Sequence, residues 1–358
     1  MSPQAMDLCT AMQWHLPWHK SRVKFIAAFV LALIQVTTVN WVRIANGLNG
    51  KADQKSNYRR IQRFFALFDL DYDLIAQLVV NLLPSRKDWL ITLDRTHWQF
   101  GPLQINILLV GIVFQGVAFP LYWTMLPKKG NSNTPERIAL MEQVIALLGT
   151  ARIRAVVGDR EFIGQTWFRW LDQQGLTYHM RIRENAVLPG PKPSLAVRTL
   201  FRDLRVDQAR VLRKRRWIYG QAVFLAAVRL ADEYLIVASN QENTQALSRY
   251  QKRWGIEVLF SALKKRGFNF EETRLTQIER IGKLVALLTL AFTWAHLVGI
   301  WLAEQKPLKI KKHGYPQQSL FRYGLDYLQY LLLNIQEKAD DLIECLWLWL
   351  CPPEVNAE

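Results

Sequence analysis

Three apolar runs follow one another between residues 89 and 126: WLITL at 89–93, LQINILLVGIVF at 103–114 and GVAFPLYWTML at 116–126. Each is rich in β-branched and aromatic residues, and the breaks between them are short, so they read as strands of a meander. The segment KKGNSNTPERI then supplies Lys, Gly, Asn, Ser and Pro in sequence, a loop feeding a helix over 135–148. A second short β-branched strand follows at 153–157. Strand, strand, strand, helix, strand is the signature of an α/β layer architecture with one sheet at its centre.

Two of these strands lead into carboxylates. WLITL ends on Asp94, in LDRTHW, and the strand at 153–157 ends in Gly158, Asp159 and Arg160. A carboxylate just past a buried strand is held in the crevice where sheet ligands collect. Taken singly, either aspartate also fits a turn or a helix N-cap. A third carboxylate lies in YQKRWGIEVLFSALK, residues 250–264, which reads as helix. At about 100° per residue, Tyr250, Arg253, Glu257 and Lys264 share an arc of roughly 60°. Ile256, Val258, Leu259, Phe260 and Leu263 point elsewhere, toward a core. A solvated polar face accounts for that stripe by itself. Three carboxylates on two strand ends and a helix suggest a metal site instead.

The charge balance names the class of partner. With 46 Lys and Arg against 30 Asp and Glu, the formal net charge is +16 and the pI near 9.9, which calls for a polyanion, nucleic acid before a membrane surface. Half of the residues are hydrophobic and 14 are Trp, enough to bury a large core. Cys9, Cys345 and Cys351 are too few and too scattered for a disulfide framework or a zinc site, in keeping with a reducing cytosol.

The apolar run at 25–34 is too short to cross a bilayer. The run at 284–303 lies between Lys283 and Glu304 and holds Thr289, Thr293 and His296; it reads as a buried core helix, with a membrane segment as the alternative. Upstream, a helix over 36–47, a turn in GLNGKADQ and a helix over 55–68 make a helix-turn-helix-like pair. Ile61, Phe64, Phe65 and Phe68 recur for burial, while Arg59, Arg60 and Arg63 face out, toward DNA or simply toward solvent. A further helix spans 69–83. Between Asp159 and Glu257 the chain alternates as β at 177–183, 217–229 and 234–239, and carries the basic run RKRRW at 213–217. That run is a solvated surface or a backbone grip with a stacking indole. A basic linker at 306–313 leads to a helical stretch over 325–350 that ends in LWLWL.

Asp94 in TLDRT, Asp159 in GDREF, and the Tyr-x2-Arg-x3-Glu-x6-Lys run of Tyr250, Arg253, Glu257 and Lys264 together resemble the DDE transposases of insertion sequences. Within these the chain is most similar to the cut-and-paste, hairpin-forming branch. The resemblance covers about residues 89–265. It implies a ribonuclease-H-like catalytic core at 85–305 with a β-strand insertion at about 185–245, a helical DNA-binding segment at 1–84 and a helical segment at 306–358. It further implies that Asp94, Asp159 and Glu257 are catalytic and hold two Mg²⁺ ions, with Mn²⁺ as a substitute. Tyr250, Arg253 and Lys264 would meet phosphates, joined by Arg160, Arg213, Arg215, Arg59, Arg60 and Arg63. Trp217, or Trp254 in its stead, would stack on a flipped base. The implied partner is double-stranded DNA, bound by a homodimer in a bacterial cytoplasm, with no membrane. A structure-selective nuclease and a non-catalytic DNA-binding relative are the rival readings.

Overall fold

The computed structural model describes residues 3–48, 50, 52–84, 88–190, 194–242, 244–312 and 314–351. Asn49 and Lys51 of the expected turn, and His313 of the basic linker, lie outside the described residues. Helices α1 (Pro3–Gln13), α2 (Lys20–Val36), α3 (Trp41–Gly47), α4 (Gln54–Leu67) and α5 (Tyr72–Leu82) precede strands β1 (Trp89–Phe100), β2 (Leu103–Phe114) and β3 (Val117–Met125). Next come α6 (Thr134–Leu148), β4 (Ile153–Gly158), α7 (Gln165–Gln173) and β5 (Tyr178–Ile182). Short strands β6 (Val187–Leu188), β7 (Leu195–Ala196), β8 (Ala209–Val211) and β9 (Arg216–Ile218) lead to β10 (Gln221–Arg229) and β11 (Tyr234–Ser239). Five helices follow: α8 (Ala246–Gln251), α9 (Trp254–Leu263), α10 (Ile278–Gln305), α11 (Leu320–Leu333) and α12 (Ala339–Trp347).

The chain divides into two compact units. One comprises Arg86–His97 and Gln104–Val258, the other Met1–Ser85, Trp98–Leu103 and Leu259–Glu358. The segments at 1–84 and 306–358, which read as separate in the sequence, thus fall in a single unit together with α10.

The first unit is built on a mixed sheet of order β3-β2-β1-β4-β5-β11-β10-β8. β2 and β3 are antiparallel, whereas β4 runs parallel to both β1 and β5. An antiparallel meander continued by parallel strands, with helices in the crossovers, is the ribonuclease-H-like topology. Of the inserted strands, β6 and β7 pair with each other in a small two-stranded sheet, whereas β8, β10 and β11 extend the core sheet. β11 pairs antiparallel with β5, aligning Ile236 with Ile182, and β10 follows. Ile236, Val237 and Ala238 are all buried, so this segment satisfies its backbone by extending the core sheet.

Two strand boundaries differ from expectation. β1 continues beyond Asp94 as far as Phe100, so Asp94 sits within the strand and not at its end. The stretch at 217–229 is a hairpin rather than one strand. Tyr219 and Gly220 have φ of 51° and 70°, a two-residue turn that folds β9 back onto β10.

In the second unit α10 is the central element. Its apolar window is 94% buried within the protein, which makes it the core helix of this unit. The single helix expected over 36–47 does not form. Thr37 adopts the left-handed conformation and ends α2, Asn40 caps α3 by accepting from Val42 N and Arg43 N, and the chain turns by 107°. α4 matches its sequence pattern, with Ile61, Phe64 and Phe65 buried and Asp53 as N-cap. The stretch at 325–350 divides into α11 and α12. Leu346, Leu348 and Trp349 of LWLWL are buried, and the Trp349 ring lies 6.0 Å from that of Trp294.

Candidate metal and nucleic-acid site

Close packing seats the three candidate carboxylates, all of which lie in the first unit. Ile91, Thr92 and Leu93 of β1 are buried, which fixes the backbone from which Asp94 projects. At Gly158 a Cβ would lie 2.9 Å from Met180 Sδ and 3.0 Å from Phe162 Cβ, so a side chain here would have to displace both where β4 leads into Asp159. At Gly255 a Cβ would stand 2.9 Å from the Val117 carbonyl carbon; its absence brings the first turn of α9, with Glu257, onto β3.

Arg253 binds two of the three. Its Nη1 donates to Asp94 Oδ2 at 3.0 Å and its Nη2 to Glu257 Oε1 at 2.5 Å, and the guanidinium is almost wholly buried. Burial pushes the Asp94 carboxyl up to about 7. The backbone N–H of Arg95 opposes that shift, the charge of Asp159 adds to it, Arg253 opposes it and Glu257 adds to it. Asp94 therefore feels both other carboxylates. Among the described residues no three His, Cys, Asp or Glu side chains are close enough together to hold a single ion. The donor types nonetheless suit a hard divalent cation, since the candidate ligands are all carboxylates and Arg253 brings a single positive charge against their three negative ones. Loading such an ion requires the guanidinium to leave Asp94 and Glu257.

The polar stripe expected on one helix is not continuous. Lys252 and Arg253 lie in a turn between α8 and α9, which alters the rotation between Tyr250 and Glu257. Tyr250 is a core residue, packed with Ala226, Val237 and Ala246. Lys264 lies just past α9, paired with Glu271 at 2.8 Å and 5.4 Å from the Trp98 ring. None of Tyr250, Arg253 and Lys264 presents a free phosphate-facing group in this arrangement.

The remaining candidates divide by exposure. Trp217 and Trp254 are 61% and 62% exposed, so neither is a core tryptophan. Arg213 and Arg215 are exposed beside Trp217, Arg215 lying 5.0 Å from the Phe224 ring. Arg160 is half-exposed and reaches Glu233 at 3.4 Å. On α4, Arg59 and Arg63 are exposed. Arg60 turns inward, bonding Asn57 and lying 5.8 Å from the Phe25 ring, because its side chain follows the helix back toward α2. A cavity of 320 Å³ in the same unit is lined by Trp41, Tyr58, Arg274 and Arg280 among others.

Sequence reasoning passed over a set of polar residues beside the aspartates: Arg95, Asn106, Ser132, Arg137 and Glu161. Arg95 Nε donates to Glu161 Oε2 at 3.0 Å, with both side chains nearly dry. The available signal was a charged residue close behind each aspartate, Arg95 directly after Asp94 and Glu161 two positions after Asp159, but nothing in the spacing pairs them.

Residues 118–294 match the family model described as the transposase DDE domain. Asp159 and Glu257 lie inside the matched segment and Asp94 upstream of it. No curated protein matches the chain. Among solved structures, the cryo-EM structure of the piggyBac transposase synaptic complex with hairpin DNA is similar with a TM-score of 0.49 and 13% identity, over 95% of this chain and 78% of that one.

Proposed function

We propose that this protein is a DNA transposase that binds the ends of its own mobile element, an insertion sequence, and carries out metal-dependent strand cleavage and strand transfer. What supports the reading is that Arg253 joins Asp94 to Glu257 and that Asp94 feels the charge of Asp159, beside a ribonuclease-H-like sheet, within a chain whose segment 118–294 is similar to the transposase DDE domain.

Asp94, Asp159 and Glu257 are the proposed ligands of Mg²⁺. When bound, two such ions supply Lewis-acid stabilisation to the attacking and departing oxygens of a phosphodiester. Burial beside Leu93 and Thr96 keeps Asp94 rigid, and the Arg95 N–H at 2.7 Å fixes one of its oxygens. Arg253 bridges Asp94 and Glu257 in the resting arrangement; released from them, its guanidinium is within the site to meet a phosphate. Arg213 and Arg215 grip the DNA backbone, and the exposed Trp217 offers a π-face to an unstacked terminal base, as the hairpin route of cut-and-paste transposition requires. Arg59 and Arg63 of α4 make further backbone contacts. The DNA-bound form is a homodimer in the cytoplasm.

Incubation of the protein with Mg²⁺ and DNA carrying the ends of the surrounding element tests this. Cleavage at the ends and joining to a second duplex are expected. Asp94→Asn, Asp159→Asn and Glu257→Gln should each abolish both steps and leave DNA binding intact. Cleavage without joining would make the protein a nuclease of the same fold, and undiminished cutting by any variant would remove that residue from the site.

A further inference from the structure

The two aspartates are held by matching bonds. Asp94 Oδ1 accepts from the backbone N–H of Arg95 at 2.7 Å, and Asp159 Oδ1 accepts from the backbone N–H of Glu161 at 2.8 Å. The two residues that donate these bonds are joined to each other through their side chains: Arg95 Nε lies 3.0 Å from Glu161 Oε2, and the two side chains are 12% and 10% exposed. β1 and the segment after β4 are therefore tied together directly behind both carboxylates.

Neighbouring groups complete the link. Glu161 Oε1 also accepts from Ser132 N and Ser132 Oγ, each at 2.7 Å. Ser132 Oγ in turn accepts from Arg137 Nε at 2.9 Å. The remaining arms of the Arg95 fork reach Asn106 Oδ1 at 3.0 Å and Asn131 Oδ1 at 3.3 Å. Asn106 Nδ2 donates to the carbonyls of Lys128 and Gly130. A buried ion pair is costly to assemble and gains its value only when every polar atom is satisfied, as here. Its geometry also reaches the loop at 127–133, which it pins to the rim of the carboxylates.

We propose that Arg95 and Glu161 form a positioning clamp that sets the spacing of Asp94 and Asp159 for a divalent cation, Glu161 acting through its backbone and side chain rather than as a ligand. This rests on the metal-site reading above. A metal site whose supporting bonds are removed keeps its ligands but loses their orientation, typically at a cost of about 10–100-fold in affinity.

The test is Mn²⁺ binding to the full chain without DNA, followed by the loss of the free-ion signal in electron paramagnetic resonance. Glu161→Gln keeps the volume and an acceptor for Ser132 but ends the ion pair with Arg95. The dissociation constant for Mn²⁺ is expected to rise at least about 10-fold, with a lower melting temperature because Arg95 is left buried without its counter-charge, and with unchanged DNA binding by the folded variant in the presence of a chelator. Arg95→Lys keeps the charge and loses the fork, so an intermediate rise is expected; it also serves if Glu161→Gln does not fold. Unaltered Mn²⁺ affinity in a folded variant overturns the clamp. Complete loss of binding in Glu161→Gln, matching that in Asp159→Asn, makes Glu161 a ligand and overturns the positioning role. If the unaltered protein binds no Mn²⁺, the metal reading itself fails and takes the clamp with it.

Discussion

Arg253 shows how a residue can change its meaning between a linear pattern and a folded site. By spacing it shares a stripe with Glu257 and Lys264; in the structure it is buried as the common partner of Asp94 and Glu257. Even with that partner, burial and two neighbouring carboxylates make ionised Asp94 expensive. Asp94→Asn removes this cost, so thermal unfolding without metal at neutral pH should show a melting temperature several degrees above that of the unaltered chain, despite lost cleavage. A lower value would mean that the Arg253 pairing outweighs the burial. Trp217 poses the opposite case. Because it is 61% exposed, Trp217→Ala should change the melting temperature little. If it stacks on an extruded base, the same variant should nick DNA normally and form fewer hairpins, a loss of roughly 1–3 kcal/mol in one step only. Equal loss of both steps would transfer the stacking role to Trp254.

At the level of elements, the contact of α10 with α11 depends on two glycines. A Cβ at Gly299 would stand 1.9 Å from the Leu320 carbonyl oxygen, and one at Gly324 would stand 1.9 Å from that of Ala295. The helices touch backbone to backbone at this crossing, and neither carbonyl can retreat without breaking its own helix. Gly299→Ala and Gly324→Ala should therefore each destabilise the protein by about 1–3 kcal/mol or more, read as a lower urea midpoint. A neutral result would show that α11 slides to accommodate the methyl group. The breaks between helices are likewise local decisions with tertiary support. Thr37 leaves the helical region although α2 is apolar over 25–34, and Lys252 and Arg253 interrupt what the composition of 250–264 would run as one helix.

For the whole molecule, acid should be destabilising. His179 lies buried in β5 with neither ring nitrogen hydrogen-bonded, and burial, helped by Arg249, lowers it to about 4; burial lowers His296 to about 3. A histidine lowered in the folded state binds fewer protons than in the unfolded chain. Its stabilising effect is thus full above 6.5 and is lost as pH falls from there through the folded value. Each proton taken up on unfolding contributes a slope of about 1.4 kcal/mol per pH unit in that window. Urea midpoints should fall between pH 6.5 and 4.5, and His179→Leu should flatten the curve. An unchanged slope would put the titration elsewhere. The net charge of +16 has its own consequence: affinity for duplex DNA should fall steeply with added salt, by a slope of about −0.9 for every phosphate neutralised. Salt-independent binding would count against a backbone-gripping surface.

The sequence by itself marked the core strands along the chain, the location of most helices, and three carboxylates, of which the fold joins Asp94 and Glu257 through Arg253. These are legible because burial imposes a period on each segment: β2 runs from Leu103 to Phe114 as the apolar run does, and α4 buries Ile61, Phe64 and Phe65 as its spacing requires. Only the tertiary structure decided what each polar group faces. Tyr250 went to a core, Arg253 to two carboxylates, Lys264 to Glu271, and Arg95 to Glu161. Local periodicity reports which side of an element is dry. The partner of a charge comes from a different element brought alongside by packing, and no spacing along the chain encodes that meeting.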